Sequence, residues 1–269
     1  TIPKWVNENT LIIACSYSGN TEETLTGLEK CLSKTSKIIG FSTGGKLIDI
    51  INENNNDFVL MPKGLQPRAA LGYSFTLMLI LLNKIGFIEN STISNFQNNL
   101  AELSKYSDTY SLQNENNISY KIAKDIYDKN PLIYAEDGIF GIIGYRFKCQ
   151  LVENSKILAF NNFIPEMNHN EIEAYTKNVN NKNNFVVVWI NNDNYHIRNK
   201  KRIDVVKTIW SNKIKTQIEI NLDLAHINSN LIKYLIYINL MDWISYHAAI
   251  LIQIDPSIIP NINKLKKSL

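Results

Sequence analysis

Residues 10–25, "TLIIACSYSGNTEETL", decide the fold class of this chain. The apolar run at 10–15 is short and continuous, which is typical of a strand buried on both faces. Residues 21–34 then place three leucines at helical spacing. A buried strand, a turn of small polar residues and an amphipathic helix together predict one unit of a parallel α/β sheet.

The same alternation continues along all 269 residues. Further predicted strands lie at 37–43, 57–62, 130–137, 157–160, 185–190 and 215–220. Further predicted helices lie at 47–54, 67–86, 138–156, 198–210 and 228–254. In the polar stretch 88–128, a connecting helix is predicted by the spacing of Ile93, Phe96, Leu100 and Leu103. We therefore predict an α/β protein of two tandem αβα sandwich domains with parallel sheets, at residues 1–114 and 115–269.

Composition is that of a soluble globular protein, with 45% hydrophobic and 20% charged residues. The net charge of +3 is too weak to indicate a nucleic-acid partner. Polar residues interrupt the longest apolar stretch, 231–254, which favours a core helix over a membrane span. We recognise no secretory signal, and the three cysteines lack metal-ligand spacing. They are expected to be buried, reduced thiols of a cytoplasmic protein: Cys15, Cys31 and Cys149.

The turn at 16–24 lies where ligands bind in parallel sheets, beyond the carboxyl end of a strand. Gly19 permits a tight turn, and Asn20 is predicted to cap the following helix in a capping box with Glu23. The first-turn N–H groups would then face an anion. Hydroxyl groups that suit phosphate oxygens come from Ser16, Ser18 and Thr21.

The turn has no lysine and no Walker A sequence, so a single phosphate on a small molecule fits better than a nucleoside triphosphate with magnesium. An ordinary capped turn without a ligand is the alternative. From the residues alone, both interpretations stay open.

"SYSGNTEETL" (16–25) resembles the phosphate-binding signature of sugar isomerase (SIS) domains, and in particular that of bifunctional phosphoglucose/phosphomannose isomerases. Four further segments resemble the same family in the same order: "PRAALGYSF" (67–75), "RFKCQLVENSK" (146–156), "PEMNHNEIEAY" (165–175) and "DPSIIPNINKLKKSL" (255–269). The resemblance implies two SIS domains. The family begins with a strand and a glycine- and serine-rich loop, and we expect that segment to be missing before Thr1.

The resemblance implies an aldose–ketose isomerase that interconverts glucose 6-phosphate, and mannose 6-phosphate as well, with fructose 6-phosphate through a cis-enediol. It assigns the C1–C2 proton transfer to Glu153 and stabilisation of the enediolate to Arg68. From the residues alone, Glu153 ends a mostly apolar helix, where a carboxyl group is expected to be partly desolvated. A solvated glutamate at a helix end and a surface arginine are the alternatives.

The resemblance assigns ring opening to His169 and to a C-terminal lysine, for which Lys266 matches better than Lys264 or Lys267. It also implies that His169 reaches the active site of a neighbouring subunit, and hence a homodimer. Glu166 and Glu171 are interpreted as structural.

No cofactor and no metal are implied, and the sequence shows no ligand cluster like that of zinc-dependent mannose-6-phosphate isomerases. Neither a nucleic-acid nor a membrane partner is expected. The alternative function is a non-catalytic sugar-phosphate-binding SIS module. Such modules usually lack the pair Glu153 and His169, whereas the missing first loop favours them.

Overall fold

The computed structural model describes residues 2–175 and 184–268. The chain divides into two compact units, Thr1–Ile93 and Ser94–Leu269, called unit 1 and unit 2 below. This division falls before the predicted domain boundary at 114/115, which stays a prediction.

Unit 1 is built on a three-stranded parallel sheet in the order β1-β2-β3. A hydrophobic cluster that includes Leu28, Ile38 and Leu47 joins its helices to the sheet. In chain order the elements are β1 (Ile12–Cys15), α1 (Glu22–Leu32), β2 (Ile38–Ser42), α2 (Lys46–Glu53), β3 (Asp57–Leu60), a 3-10 turn (Pro67–Ala69) and α3 (Leu71–Lys84).

Unit 2 is built on a four-stranded parallel sheet in the order β5-β4-β6-β7. Its elements begin with α4 (Asn90–Asn98), which spans the division, α5 (Leu100–Tyr110), α6 (Ile118–Ile126), β4 (Asn130–Glu136) and α7 (Ile139–Gln150). A π-helical turn (Leu151–Ser155), β5 (Phe160–Ile164) and two 3-10 turns (Glu166–His169 and Glu171–Tyr175) follow. The remaining elements are β6 (Phe185–Ile190), α8 (Ile197–Trp210), β7 (Gln217–Ile220), α9 (Asn230–Leu251) and α10 (Pro260–Ser268).

The core of unit 2 lies on both faces of β6, as its continuous apolar sequence indicates. Val186 to Ile190 are fully buried. Trp189 packs against Trp210 of α8, with ring centroids 5.8 Å apart. Helix α9 contacts α5, α6 and α7, and these helices bury much of its apolar surface. No helix in the described ranges is both long enough and apolar enough to cross a membrane.

The predicted alternation and the parallel sheets are confirmed, whereas several bounds were wrong. The strand predicted at 157–160 is mostly a connection, and β5 begins only at Phe160. Ile157 and Ala159 are buried but do not pair with a strand, so their apolar character reflects burial and not membership of the sheet. The helix predicted at 138–156 ends in the π turn, and the one at 67–86 opens with a separate 3-10 turn.

The connecting helix is in fact two helices, α4 and α5, which meet at Asn99. Helices α6 and α10 were not predicted, although the four-residue spacing of Ile118, Ile122 and Ile126 indicated the first. The expected burial of the cysteines was wrong for Cys15, which is exposed. Cys31 is buried and Cys149 is half-buried.

Candidate functional site

Two turns meet at the carboxyl edge of the unit 1 sheet. The serine turn (residues 16–21) follows β1, and the glycine turn (residues 42–45) begins at the last residue of the neighbouring strand β2. Main-chain hydrogen bonds join them, because Thr43 N donates to Tyr17 O at 3.0 Å and Leu47 N donates to Gly19 O at 2.9 Å. The two turns therefore form one backbone surface at the position where parallel sheets bind ligands.

Glycines allow this close approach. Gly19 has φ +71°, and a Cβ there would lie 1.7 Å from Gly44 O. Gly45 has φ +74°, and a Cβ there would lie 2.7 Å from Ser18 O. Both positions need a left-handed conformation and lack room for a side chain, so neither accepts another residue without displacing backbone.

The three hydroxyl groups predicted to bind phosphate lie together on the serine turn. Ser16 is buried, and its Oγ lies 2.8 Å from Thr21 Oγ1. Ser18 is exposed, and its Oγ accepts a hydrogen bond from Asn20 N at 3.3 Å. Buried and exposed hydroxyls thus flank the start of α1.

The predicted capping box at α1 was wrong. Thr21 occupies the N-cap position and makes no side-chain cap hydrogen bond. Asn20 instead faces the glycine turn, where its Oδ1 accepts from Lys46 N at 3.2 Å and its Nδ2 donates to Ser18 O at 3.2 Å. Asn20 therefore links the serine turn to the first residue of α2, and the N-terminus of α1 lacks a side-chain cap, as suits an anion site.

Sequence reasoning missed the glycine turn and the segment that follows β3. Ser42 is fully buried, and its Oγ donates to Gly44 O at 2.7 Å. Tyr17 OH donates to Pro62 O at 2.8 Å, which holds the segment after β3 beside the serine turn. The Lys63 ammonium nitrogen lies 3.5 Å from where a Cβ on Gly44 would be. The signal was "STGG", a second small-residue turn directly after a second strand.

Arg68 lies in unit 1 and Glu153 in unit 2, so each is described within its own unit. Arg68 is half-buried in the 3-10 turn that precedes α3. Glu153 is half-buried in the π turn at 151–155, called the glutamate turn below. Single π turns inside helices are frequently found at functional sites.

A cavity of about 350 Å³ adjoins the glutamate turn. Its walls come from that turn and the residue after it, and from the start of α10 and the residue before it: Val152, Glu153, Lys156, Ile259, Pro260, Asn261 and Ile262. The ammonium group of Lys156 donates to the main-chain oxygen of Glu153 at 2.6 Å. A half-buried carboxylate in a cavity of this size can act on a small molecule.

The candidate lysines lie on α10, whose first residues line the same cavity. Lys266 and Lys264 are exposed, and neither is among the described residues of the cavity wall. The side chain of Lys267 lies outside the described part of the structure.

His169 is exposed at the end of the first 3-10 turn after β5. Met167 of the same turn is fully buried, so its side chain holds the turn to the core of unit 2. The carboxylate of Glu171 accepts from Tyr134 OH and from Asn162 Nδ2, both at 2.7 Å. These contacts attach the His169 segment firmly to the sheet and support a structural role for Glu171.

Comparisons with known proteins agree with this geometry. The family model described as "Bacterial phospho-glucose isomerase C-terminal SIS domain" matches residues 115–269. A bifunctional phosphoglucose/phosphomannose isomerase of Caldicellulosiruptor bescii is 36% identical over 271 residues, which cover 100% of this chain and 78% of that protein. A D-glucosamine-6-phosphate 4-epimerase of Sulfolobus acidocaldarius is 36% identical over 190 residues, or 70% of this chain and 58% of that protein.

The crystal structure of a glucosamine-6-phosphate deaminase from Thermotoga maritima superimposes with a TM-score of 0.67 at 16% identity. The match covers 96% of this chain and 75% of that one, and at this identity it is informative about the fold alone. The full-length similarity to the Caldicellulosiruptor protein is informative about the family. The chain belongs to the bifunctional phosphoglucose/phosphomannose isomerase family.

Proposed function

We propose that this protein interconverts glucose 6-phosphate and mannose 6-phosphate with fructose 6-phosphate. The observation that carries the proposal is Glu153, a half-buried carboxylate that lines a cavity of about 350 Å³ in a π turn. The names of the full-length relatives, which are bifunctional phosphoglucose/phosphomannose isomerases, support the same activity.

In this proposal the serine turn binds the substrate phosphate. The hydroxyls of Ser16, Ser18 and Thr21 and the first-turn N–H groups of α1 would donate hydrogen bonds to its oxygens. The Lys63 ammonium group beside the glycine turn adds positive charge near the same backbone surface. Phosphate recognition would therefore hold sugars that differ only at C2 in the same way.

Glu153 is the base of the proposed reaction. It takes the C2 proton of the open-chain aldose, the C–H electron pair forms the C1–C2 double bond, and the C1 oxygen accepts a proton. The resulting cis-enediol loses the proton on its C2 oxygen, and Glu153 returns its proton to C1, which gives the ketose. Arg68 would stabilise the negative oxygen between these steps. In reverse, protonation of C2 from either face would yield glucose or mannose 6-phosphate.

Ring opening requires proton transfer at the ring oxygen, which we assign to His169 and Lys266. We further propose that His169 acts in the site of a neighbouring subunit of a homodimer. Its exposure on a turn that Met167 and Glu171 hold to the sheet supports this role, because a fixed exposed side chain can serve a partner. Mixed Glu153→Gln and His169→Ala subunits would then form heterodimers with one intact site and recover activity. A lack of recovery after verified subunit exchange would reject the shared site.

Glu153→Gln in the full-length protein tests the proposed function. The amide keeps the shape of the side chain but removes the base, so we expect turnover to fall by about three orders of magnitude with little change in substrate affinity. Incorporation of solvent deuterium at C2 of glucose 6-phosphate should disappear with it. Glu166→Gln is the matched control and should retain near-parental turnover.

Exchange at a near-parental rate in Glu153→Gln would show that another group is the base. A parent protein that binds fructose 6-phosphate without turnover would instead be a non-catalytic SIS module. Glucosamine 6-phosphate should be assayed in parallel, because one relative is named a D-glucosamine-6-phosphate 4-epimerase.

A further inference from the structure

A polar ladder joins α7 and the glutamate turn to α9. Arg146 Nη2 and Gln150 Nε2 each donate to one carboxylate oxygen of Asp242, both at 2.7 Å. Asn154 Nδ2 donates to Ser245 Oγ at 2.9 Å. Residues 146, 150 and 154 recur every four positions, so they form one row on the face that meets α9.

The ladder continues through Ser245 and into the glutamate turn. Ser245 Oγ donates to Asp242 O at 2.8 Å while it accepts from Asn154, and Ser155 Oγ donates to Ser245 O at 3.0 Å. Ser155 and Ser245 are fully buried, and Gln150 is 4% exposed. The backbone is therefore attached to α9 directly before the glutamate turn and again at its last two residues.

Glu153 lies between these attachment points. A π turn has weaker local preference than an α turn, so it persists where tertiary contacts select it. Here the contacts of Asn154 and Ser155 with α9 stabilise the end of the π turn. The fully buried Leu151 stabilises its start. The backbone on either side of Glu153 is thus held by groups that do not line the cavity themselves.

Asp242 is the acceptor on which the ladder converges. Its side chain is 30% exposed and that of Arg146 21%, so the ion pair is partly desolvated. Burial raises the pKa of the Asp242 carboxyl group, and the charge and hydrogen bond of Arg146 oppose this rise. Removing the carboxylate would leave the donors of Arg146 and Gln150 without that acceptor, which is costly at a half-buried site.

We propose that Asp242 is a positioning residue for Glu153. Its carboxylate accepts from Arg146 and from Gln150, the residue directly before the glutamate turn, while its main-chain oxygen accepts from Ser245, which in turn holds Asn154. This inference rests on the proposed function, because it assumes that Glu153 is the base. Misplacement of a catalytic group by about 1 Å can lower turnover about 100-fold. Asp242 should therefore influence turnover although it makes no contact with substrate.

The test compares Asp242→Asn and the milder Asn154→Ala with the parent in the full-length protein. We expect kcat to fall about 10- to 100-fold with KM changed less than about threefold, and C2 deuterium exchange to fall in parallel. The matched control is Asp204→Asn, an exposed carboxylate on α8, which should leave kcat unchanged. Circular dichroism and thermal unfolding establish the folded fraction to which each rate is normalised.

A rescue variant separates positioning from simple destabilisation. Gln150→Glu combined with Asp242→Asn exchanges the amide and the carboxylate between the two helices, so one donor–acceptor pair is retained. We expect the double variant to recover part of the kcat lost in Asp242→Asn. The effects of the two substitutions on kcat are then not additive, which shows that the two positions are coupled.

The outcomes distinguish this inference from the proposed function. If Glu153→Gln abolishes exchange while folded Asp242→Asn and Asn154→Ala turn over like the parent, the positioning role is rejected and the base assignment stands. If Glu153→Gln retains exchange, the base assignment itself fails. If Asp242→Asn does not fold, unchanged kcat in folded Gln150→Ala still rejects the positioning role, because Gln150 links the Asp242 carboxylate to the start of the glutamate turn.

Discussion

The serine turn of unit 1 and the glutamate turn of unit 2 carry their candidate groups in different ways. The serine turn meets the glycine turn backbone to backbone, with Gly19 against Gly44 O. The glutamate turn is held by side chains that cross from α7 to α9, such as Gln150 to Asp242. Where two backbone segments touch, only glycine fits at the contact. A contact between side chains can instead be restored by a second substitution at the partner residue. The comparison predicts that unit 1 tolerates substitution poorly and that unit 2 allows compensation.

The largest effect is expected for Gly19→Ala. Its Cβ would lie 1.7 Å from Gly44 O, and φ is +71°, so the two turns must separate. We expect the free energy of unfolding to fall by about 3 kcal/mol, because backbone strain and the steric clash both destabilise the folded state. Affinity for fructose 6-phosphate should fall at least about tenfold, since the loop that carries Ser18 is displaced. Urea unfolding and calorimetric titration measure the two quantities.

Gly27→Ala is the matched control for Gly19→Ala. Gly27 lies within α1, and a Cβ there would meet nothing within 4 Å. Alanine is the better helix former, so this variant should be more stable by roughly 0.5 to 1 kcal/mol. Equal behaviour of the two variants would refute the backbone contact as the reason for Gly19.

An intermediate effect is expected for Gly141→Ala in unit 2. A Cβ there would lie 2.7 Å from Phe163 Cδ1, a side-chain atom that can move, and 3.2 Å from the main-chain oxygen of Glu136. We expect a loss of about 1 to 2 kcal/mol in the free energy of unfolding, reduced by the gain in helix propensity. Adding Phe163→Leu should recover part of that loss. Urea unfolding of the two single variants and the double variant measures this. If the double variant loses as much free energy of unfolding as the two single variants together, unit 2 does not allow compensation at this contact.

The smallest effect is expected from His247, which is fully buried on α9. Its Nε2 lies 2.8 Å from Tyr110 O, and its ring stacks on Trp243 with centroids 5.6 Å apart. Burial lowers the pKa of His247, although the hydrogen bond with Tyr110 opposes this. The folded protein therefore favours the neutral ring, and the unfolded chain takes up a proton first as pH falls.

Stability from His247 should thus be complete above its unfolded pKa, about 6.5, and decrease as pH falls below that value toward the lower folded pKa. His247→Gln keeps an amide donor for Tyr110 O and does not titrate. The difference in the free energy of unfolding between parent and His247→Gln, measured from pH 7.5 to 5, should shrink with acidification. A constant difference would exclude this linkage. The serine and glycine turns of unit 1, built from backbone and hydroxyl groups, have no comparable dependence.

Much of the fold followed from local pattern. The apolar run 185–190 predicted strand β6, in which Val186 to Ile190 are fully buried. The burial on both faces predicted for the run 10–15 was wrong, because within β1 only Ala14 is buried and Cys15 is exposed. The other wrong predictions share a cause, because apolar periodicity measures burial and not hydrogen-bond partners. Ile157 and Ala159 are buried, but β5 pairs with β4 only from Phe160 onward. The capping box failed similarly, since Asn20 found a partner at Lys46, 26 positions away.

The candidate functional residues were identified from the sequence by itself: the hydroxyl residues of the serine turn, the glycine that allows its conformation, and the glutamate in "LVENS". The hydroxyls and the glycine follow from residue identity and spacing over a few positions, where φ preference acts locally, whereas the glutamate was singled out by the resemblance to the family. Only the tertiary structure decided what surrounds them. The glycine turn beside Gly19 and the acceptor Asp242 beneath the glutamate turn are distant in sequence. Chain packing brings them close, because strand register and helix contact depend on the whole folded unit.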